Sequence, residues 1–404
     1  MKQSQIIFAT MVLCIILILS PTAVADINIS GATGILMDAD TGAVLWGYNE
    51  HEKRAPASIT KLVTVLLAVE HANMDDEVII SDTAVDTKGS IVWLRAGEMQ
   101  TLENLIYACM LNSGNDAARA IAEHVGGSLD EFVEMMNSKA QELGAYNTHF
   151  KNPNGLPDEE HYSTAYDIAI ITREVMSKPV LVEILGTKNR EWKGRDWDSQ
   201  LANLNDMLWR YEGTIGGKTG ATTEAGQCLA NIAERNGLKL IGVVLGSASR
   251  DRLWTDMTTV LNYGFDNFHK IDLVREGEEI LQVKFSNKNL QVLASDSIKY
   301  LVSKDVGKIP VQRIQINDIK MPIAKGDKIG VLGFEDNGMI VGEVELVAGA
   351  DFKEPITLMR VYLNITFILF GLFFLALLIK MFKSLQRRRT FRANRVRKTR
   401  YFND

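Results

Sequence analysis

The sequence predicts an α/β two-lobed domain, a small all-β module behind it and a membrane-spanning helix near the C-terminus. Three observations carry this reading. Helical and strand patterns mix through residues 26–270, short alternating strands take over from about residue 271, and residues 361–379 are almost uninterruptedly apolar. A sheet flanked by helices, with one helix cluster set apart, is how such an order of elements buries its apolar faces. At 404 residues, 46% hydrophobic and 23% charged, the chain is long and apolar enough for one large core and a smaller one.

Taken in order, residues 33–46 read as a strand pair about the turn Asp40-Thr41-Gly42. A long helix is expected from Ser58. Its Leu62, Val63, Val65, Leu66, Leu67 and Val69 leave little polar face, as in a helix buried mid-domain. Helical stretches at 102–111 and 116–125 are separated by the polar, turn-like Asn112-Ser113-Gly114-Asn115. Two more helices are expected at 130–143 and 165–176. Strands follow at 217–221, 227–233 and 238–245, then a helix at 254–263, and the domain is expected to end near residue 270. The all-β module, 271–350, should hold strands at 280–285, 290–294, 298–302 and 311–316. A hairpin is expected at Asp336-Asn337-Gly338, because Asn-Gly supplies the positive backbone angles of a type I′ turn.

The two ends give compartment signals. Lys2, the apolar residues 6–19, a Ser20-Pro21 break and Ala23-Val24-Ala25 read as a secretory signal cleaved after Ala25. Residues 351–357 then form a tether, 358–380 a helix of membrane-spanning length, and 381–404 a basic tail. Ten Lys/Arg crowd between Lys380 and Arg400 with only Asp404 opposing them, and the positive-inside rule keeps such a cluster cytoplasmic. The body between these ends is acidic, which offers no footprint for nucleic acid. Cys14 would leave with the signal. Cys109 and Cys228 are expected as separately buried thiols, and without CxxC, HExxH or a close His pair no metal or cofactor is expected.

Chemistry concentrates in three short stretches. Ser58-Ile59-Thr60-Lys61 puts a hydroxyl and an amine three positions apart at a helix start, hence on one face. A serine hydroxyl is a poor nucleophile until a base takes its proton. A lysine becomes that base when burial and neighbouring positive charge lower its pKa. Ser113-Gly114-Asn115 offers a second hydroxyl and an amide from the other lobe. Lys218-Thr219-Gly220 lies on a strand that should send Lys218 and Gly220 to one face and Thr219 to the other. Each alone reads equally as a cap, a loop or a strand end; the three in this order are specific.

With these elements, and with Asn115-Asp116-Ala117, Asn152-Pro153-Asn154-Gly155-Leu156 and the run from Lys218 to Cys228, the chain resembles the penicillin-recognising serine enzymes, the fold of transpeptidases and β-lactamases. Among them it is most similar to the low-molecular-mass D-alanyl-D-alanine carboxypeptidases. The resemblance implies peptidoglycan stem peptides as substrates, β-lactams as inhibitors and an acyl-enzyme on Ser58. Lys61 would be its general base and Ser113 would relay the proton. It further implies an oxyanion hole from the backbone N–H groups of Ser58 and Ala221, substrate carboxylate binding by Lys218, Thr219 and Gly220, and peptide binding by Asn115. Arg252 is a further candidate for the carboxylate. Two rivals follow from the same residues. A β-lactamase would need a water-activating group, for which position allows Glu159 or Glu160. A non-catalytic muropeptide or penicillin sensor would signal through the C-terminal helix.

Overall fold

The computed structural model describes residues 27–285, 288–304, 308–319, 321–336, 338–352 and 358–400. The signal peptide and Cys14 lie outside them, as do Asn337 and residues 353–357 of the tether. The chain divides into two compact units, Met1–Ile271 with Leu301–Lys308, and Asp272–Tyr300 with Ile309–Asp404.

The first unit is built on strands β1 (Thr33–Asp38) and β2 (Val44–Tyr48), then helix α1 (Lys61–His71), which is preceded by a 3-10 turn at Ala57–Thr60. Helices α2 (Leu102–Leu111), α3 (Asn115–Gly126), α4 (Leu129–Leu143), α5 (Ala165–Met176) and α6 (Pro179–Gly186) follow. Strands β3 (Thr214–Thr222), β4 (Gly226–Arg235) and β5 (Leu238–Ser247) lead to α7 (Arg250–Asn267). The five strands form one antiparallel sheet in the order β2-β1-β5-β4-β3, leaving β3 at an edge. Alternation sorts the side chains to its two faces. Ile35, Met37, Ala230, Ile232, Ile241 and Val243 join the core of α1 to α6, whereas Leu36, Leu229, Ala233, Leu240 and Val244 pack with Leu253, Met257 and Leu261 of α7.

The expected helix from Ser58 needs correction. The α-helix proper starts at Lys61, and Ser58 sits in the 3-10 turn, because Ala57 takes φ +49° and the tighter i→i+3 bond of Ile59 N–H to Pro56 C=O comes first. From Lys61 to Ala68 every residue of α1 is buried, so the helix has no polar face to solvent over those two turns. Unforeseen in the sequence were α6 and two short ribbons, Glu77–Ile79 with Met99–Thr101 and Asn189–Lys193 with Asp198–Ala202. Strands of three to five residues carry too little periodicity to register against turn-rich surroundings.

The second unit is a five-stranded antiparallel sheet. Its strands are β6 (Glu279–Phe285), β7 (Lys288–Ala294), β8 (Val311–Ile316), β9 (Lys328–Asp336) and β10 (Met339–Ala348), in the order β6-β7-β10-β9-β8. Leu290, Val292, Leu332, Phe334, Val344 and Leu346 fill its core. Asp336 pairs with Met339 at the hairpin end, where Gly338 takes φ +83°. Helix α8 (Leu358–Arg400) runs on through the basic tail, so no break separates span and tail. Within it Tyr362–Ser384, 23 residues, has mean hydropathy 2.5. That length crosses a bilayer.

Candidate active site

The N-terminal end of α1 is where the three motifs meet. Lys61 is fully buried, and its Nζ lies 2.9 Å from Ser58 Oγ, 2.7 Å from Asn115 Oδ1 and 2.7 Å from the Asn154 carbonyl oxygen. Burial above all, with the positive charge of Lys218 adding to it, lowers the Lys61 pKa to about 7. A neutral amine has two N–H groups and one lone pair. The two carbonyl-type oxygens take both N–H groups, which leaves the lone pair for the Ser58 hydroxyl.

Asn115 opens α3 and is held from three directions. Its Oδ1 accepts from Lys61, its Nδ2 donates to the Lys88 carbonyl (2.5 Å), and its backbone N–H donates to the Ser90 carbonyl (2.7 Å). Asp116 braces the same loop: its buried carboxylate accepts from the N–H groups of Val92, Leu94 and Ala117. Desolvation pushes the Asp116 pKa up, and those backbone bonds oppose the rise. Ser113, two residues before Asn115, takes φ +59°. It is 4% exposed, and its hydroxyl has no hydrogen-bond partner among the described residues. An unpaired buried hydroxyl costs free energy unless a ligand completes it.

Strand β3 supplies the third side. Lys218 and Gly220 are buried, Thr219 is half-buried and Ala221 is exposed. The Lys218 ammonium donates to the Thr219 carbonyl (3.0 Å), its one hydrogen bond among the described residues, and burial lowers its pKa to about 8. A largely unpaired buried cation invites an anionic ligand. Gly220 is dictated by proximity: a Cβ there would lie 2.9 Å from Ser58 N and 2.9 Å from the Pro56 carbonyl. Gly155 is constrained more tightly. It has φ +82°, and a Cβ would fall 1.9 Å from the Ala57 carbonyl oxygen.

Ser58, Lys61, Asn115, Lys218 and Gly220 thus come together, with Thr219 and Ala221 adjoining on β3 and Ser113 two residues before Asn115 in the chain. Arg252 does not join them through any described contact. Its side chain is exposed in the first turn of α7, where its N–H donates to Ser249 Oγ. Glu159 is exposed, and exposed Glu160 pairs with Lys151 at 3.0 Å, so neither carboxylate touches Lys61 or Ser58. Cys109 and Cys228 are free and buried. Burial raises both thiols to about 11, which keeps Cys109 neutral near the two lysines. Missed as site residues were the Asn154 carbonyl, which no side-chain pattern can signal, the brace of Asp116, and the 88–94 loop.

Comparison with known proteins agrees with this arrangement. Residues 20–249 match the D-alanyl-D-alanine carboxypeptidase family and residues 268–354 the C-terminal domain of penicillin-binding protein 5. The chain is 34% identical to the D-alanyl-D-alanine carboxypeptidase DacF of Bacillus subtilis over 80% of its own length and 86% of the relative's. Among solved structures, penicillin-binding protein 5 of Haemophilus influenzae is similar at TM-score 0.64 and 30% identity, covering 82% of this chain and all of that one. A peptidoglycan synthesis regulatory factor (PBP3) of Streptococcus pneumoniae is similar at TM-score 0.69 and 26% identity, covering 81% of this chain and all of that one. Three motifs converging on one buried lysine, on this fold and with these relatives, place the chain in the serine D-alanyl-D-alanine carboxypeptidase family.

Proposed function

We propose that Ser58 is the nucleophile of this carboxypeptidase and Lys61 its general base, acting on peptidoglycan stem peptides that end in D-Ala-D-Ala. The observation that carries the proposal is the hydrogen bonding of Lys61. With both N–H groups engaged by Asn115 and Asn154, a neutral amine has only Ser58 Oγ, 2.9 Å away, to accept from.

In the first step the Ser58 Oγ–carbonyl carbon bond forms and its proton passes to Lys61. The tetrahedral oxyanion sits between the backbone N–H groups of Ser58 and Ala221, the pair that the close approach of Gly220 brings together. Lys61 then returns the proton through Ser113 to the leaving nitrogen, the C–N bond breaks, and D-alanine departs. Water attacks the resulting ester and frees Ser58. Lys218, with Thr219 and Gly220, holds the terminal carboxylate. That ion satisfies the donors left over on the Lys218 ammonium. Asn115 aligns the stem backbone. β-Lactams acylate the same serine. Arg252, exposed in the first turn of α7, would contribute at most long-range attraction for the carboxylate. No step calls for a cofactor or for nucleic acid.

We further propose that the chain is anchored by the apolar stretch of α8, with the first unit and the five-stranded sheet of the second outside the membrane and the basic end of the helix in the cytoplasm. The mean hydropathy of Tyr362–Ser384 and the arginines that follow support this orientation. The test of the reaction is D-alanine release from a pentapeptide ending in D-Ala-D-Ala by the detergent-solubilised protein. Release is expected from the wild type and none from Ser58→Ala. A Ser58→Ala variant that still releases D-alanine refutes the assignment.

A further inference from the structure

His161 is 3% exposed and lies beside the proposed nucleophile turn without belonging to any of the three motifs. Its two ring nitrogens are both engaged. The Lys151 backbone N–H donates to Nδ1 (3.1 Å), so Nδ1 carries no proton and Nε2 does. The Nε2–H therefore donates to Thr60 Oγ1, 2.8 Å away. Thr60 is itself 2% exposed and stands between Ser58 and Lys61. The Phe150 ring and the imidazole meet edge-to-face, with centroids 5.6 Å apart.

The segment that carries His161 reaches the site at other points. The Asn154 carbonyl accepts from Lys61, the Pro153 carbonyl accepts from Thr64 Oγ1 (2.6 Å), and Gly155 packs onto Ala57. His161 is the point at which this segment grips the motif turn through a side chain of each. We propose that His161 is a positioning residue for acylation: a neutral imidazole, fixed in one tautomer, that holds the Thr60 hydroxyl and with it the relative placement of Ser58 Oγ and Lys61 Nζ. This inference rests on the assignment of those two residues as nucleophile and base.

Charge would break the device. A proton on Nδ1 would meet the Lys151 N–H head-on, and burial holds the His161 pKa down at about 4. Asp158 pulls the other way, while His149 and Lys61 add to the depression. The imidazole is accordingly neutral over the whole range in which Lys61 can act as a base.

The experiment uses the full chain in detergent and measures the second-order rate of acylation by a fluorescent penicillin between pH 5 and 9, with melting temperatures alongside. The variants are His161→Ala, His161→Gln, Thr60→Val and the double variant His161→Ala/Thr60→Val. His161→Ala is expected to slow acylation ten- to a hundredfold, the scale on which small misplacements of reacting groups act. Its pH midpoint should move upward as water reaches Lys61. Gln offers an uncharged donor and acceptor, and should return the rate to within about threefold of wild type with the original midpoint. The double variant should be no slower than its slower parent, because both changes cut the same bond.

Wild-type acylation by His161→Ala, or effects of the two single changes that multiply in the double variant, would overturn the inference. If His161→Ala does not fold, Thr60→Val carries the test, and wild-type rate and midpoint in a folded Thr60→Val would also overturn it. Ser58→Ala run in parallel separates the two levels. Residual acylation there refutes the nucleophile assignment itself, whereas its loss together with unaffected His161 variants refutes only the positioning role.

Discussion

The pH dependence of acylation follows directly from the two buried lysines. An ordinary lysine of pKa 10.5 is neutral at pH 7 in about one molecule in 3,000, whereas Lys61, lowered to about 7, is neutral in about half. The fold thus supplies roughly a thousandfold more free base at neutral pH, at a cost of about 5 kcal/mol for a shift of this size. Lys218 works in the opposite sense. It must be charged to hold a carboxylate, and its pKa is about 8. The rate constant for acylation should therefore rise through about pH 7 and fall above about pH 8. Because the two charges sense each other, the limbs belong to the pair. The assay is stopped-flow acylation by a penicillin from pH 5.5 to 9.5, in wild type and in Lys218→Gln. The variant should lose the falling limb and, freed of a neighbouring cation, show its rising limb at higher pH. A flat profile, or a rising limb centred above pH 9.5, would mean that Lys61 stays an ammonium ion and would refute the base assignment. Stability carries the same signature. Between pH 7 and 10.5 the unfolded chain binds the Lys61 proton and the folded one does not, so this residue's contribution to stability rises with pH through that window and is flat below it.

Two further outcomes are expected. Gly155→Ala places a methyl 1.9 Å from the Ala57 carbonyl oxygen at φ +82°, so it should destabilise the first unit by about 3 kcal/mol or more. A melting temperature lower by roughly 6–12 °C checks it, and an unchanged one would show that the loop relaxes freely. A chain ended after Phe352 should leave the membrane fraction and still be acylated by penicillin, whereas the full chain should sediment with membranes; a truncated chain that sediments would assign anchoring to another surface.

Much of this was legible because it is local. Apolar spacing gave α2 and α5 to the residue, since a helix face must be apolar at the period of its turn. The run Leu62 to Leu67 announced a helix with no exposed face, which is also what dries Lys61. The long strands β3 to β5 showed because nine or ten residues give a strand pattern room to declare itself. The short ribbons did not. The start of α1 was misplaced for a related reason: Ala57 takes a positive φ where Gly155, nearly a hundred residues away, packs against it, and no local preference of alanine encodes that conformation.

For the site, the sequence by itself singled out the side chains proposed to carry the chemistry, because hydroxyl, amine and amide groups at set spacings are chemical facts about the chain. The tertiary structure decided what those groups are able to do. The proposed role of Lys61 as a base depends on burial and Lys218, which lower its pKa, and on two oxygens from distant segments that take up its N–H groups. The Asn154 contribution is a backbone carbonyl, which every residue possesses, and His161 matters through a tautomer set by the Lys151 N–H. Arg252 stayed an exposed charge that its sequence position alone could not interpret. Spacing fixes what lies within one turn of a helix. Desolvation, charge–charge coupling and hydrogen-bond direction depend on groups brought together across the fold, and only the packed molecule sets them.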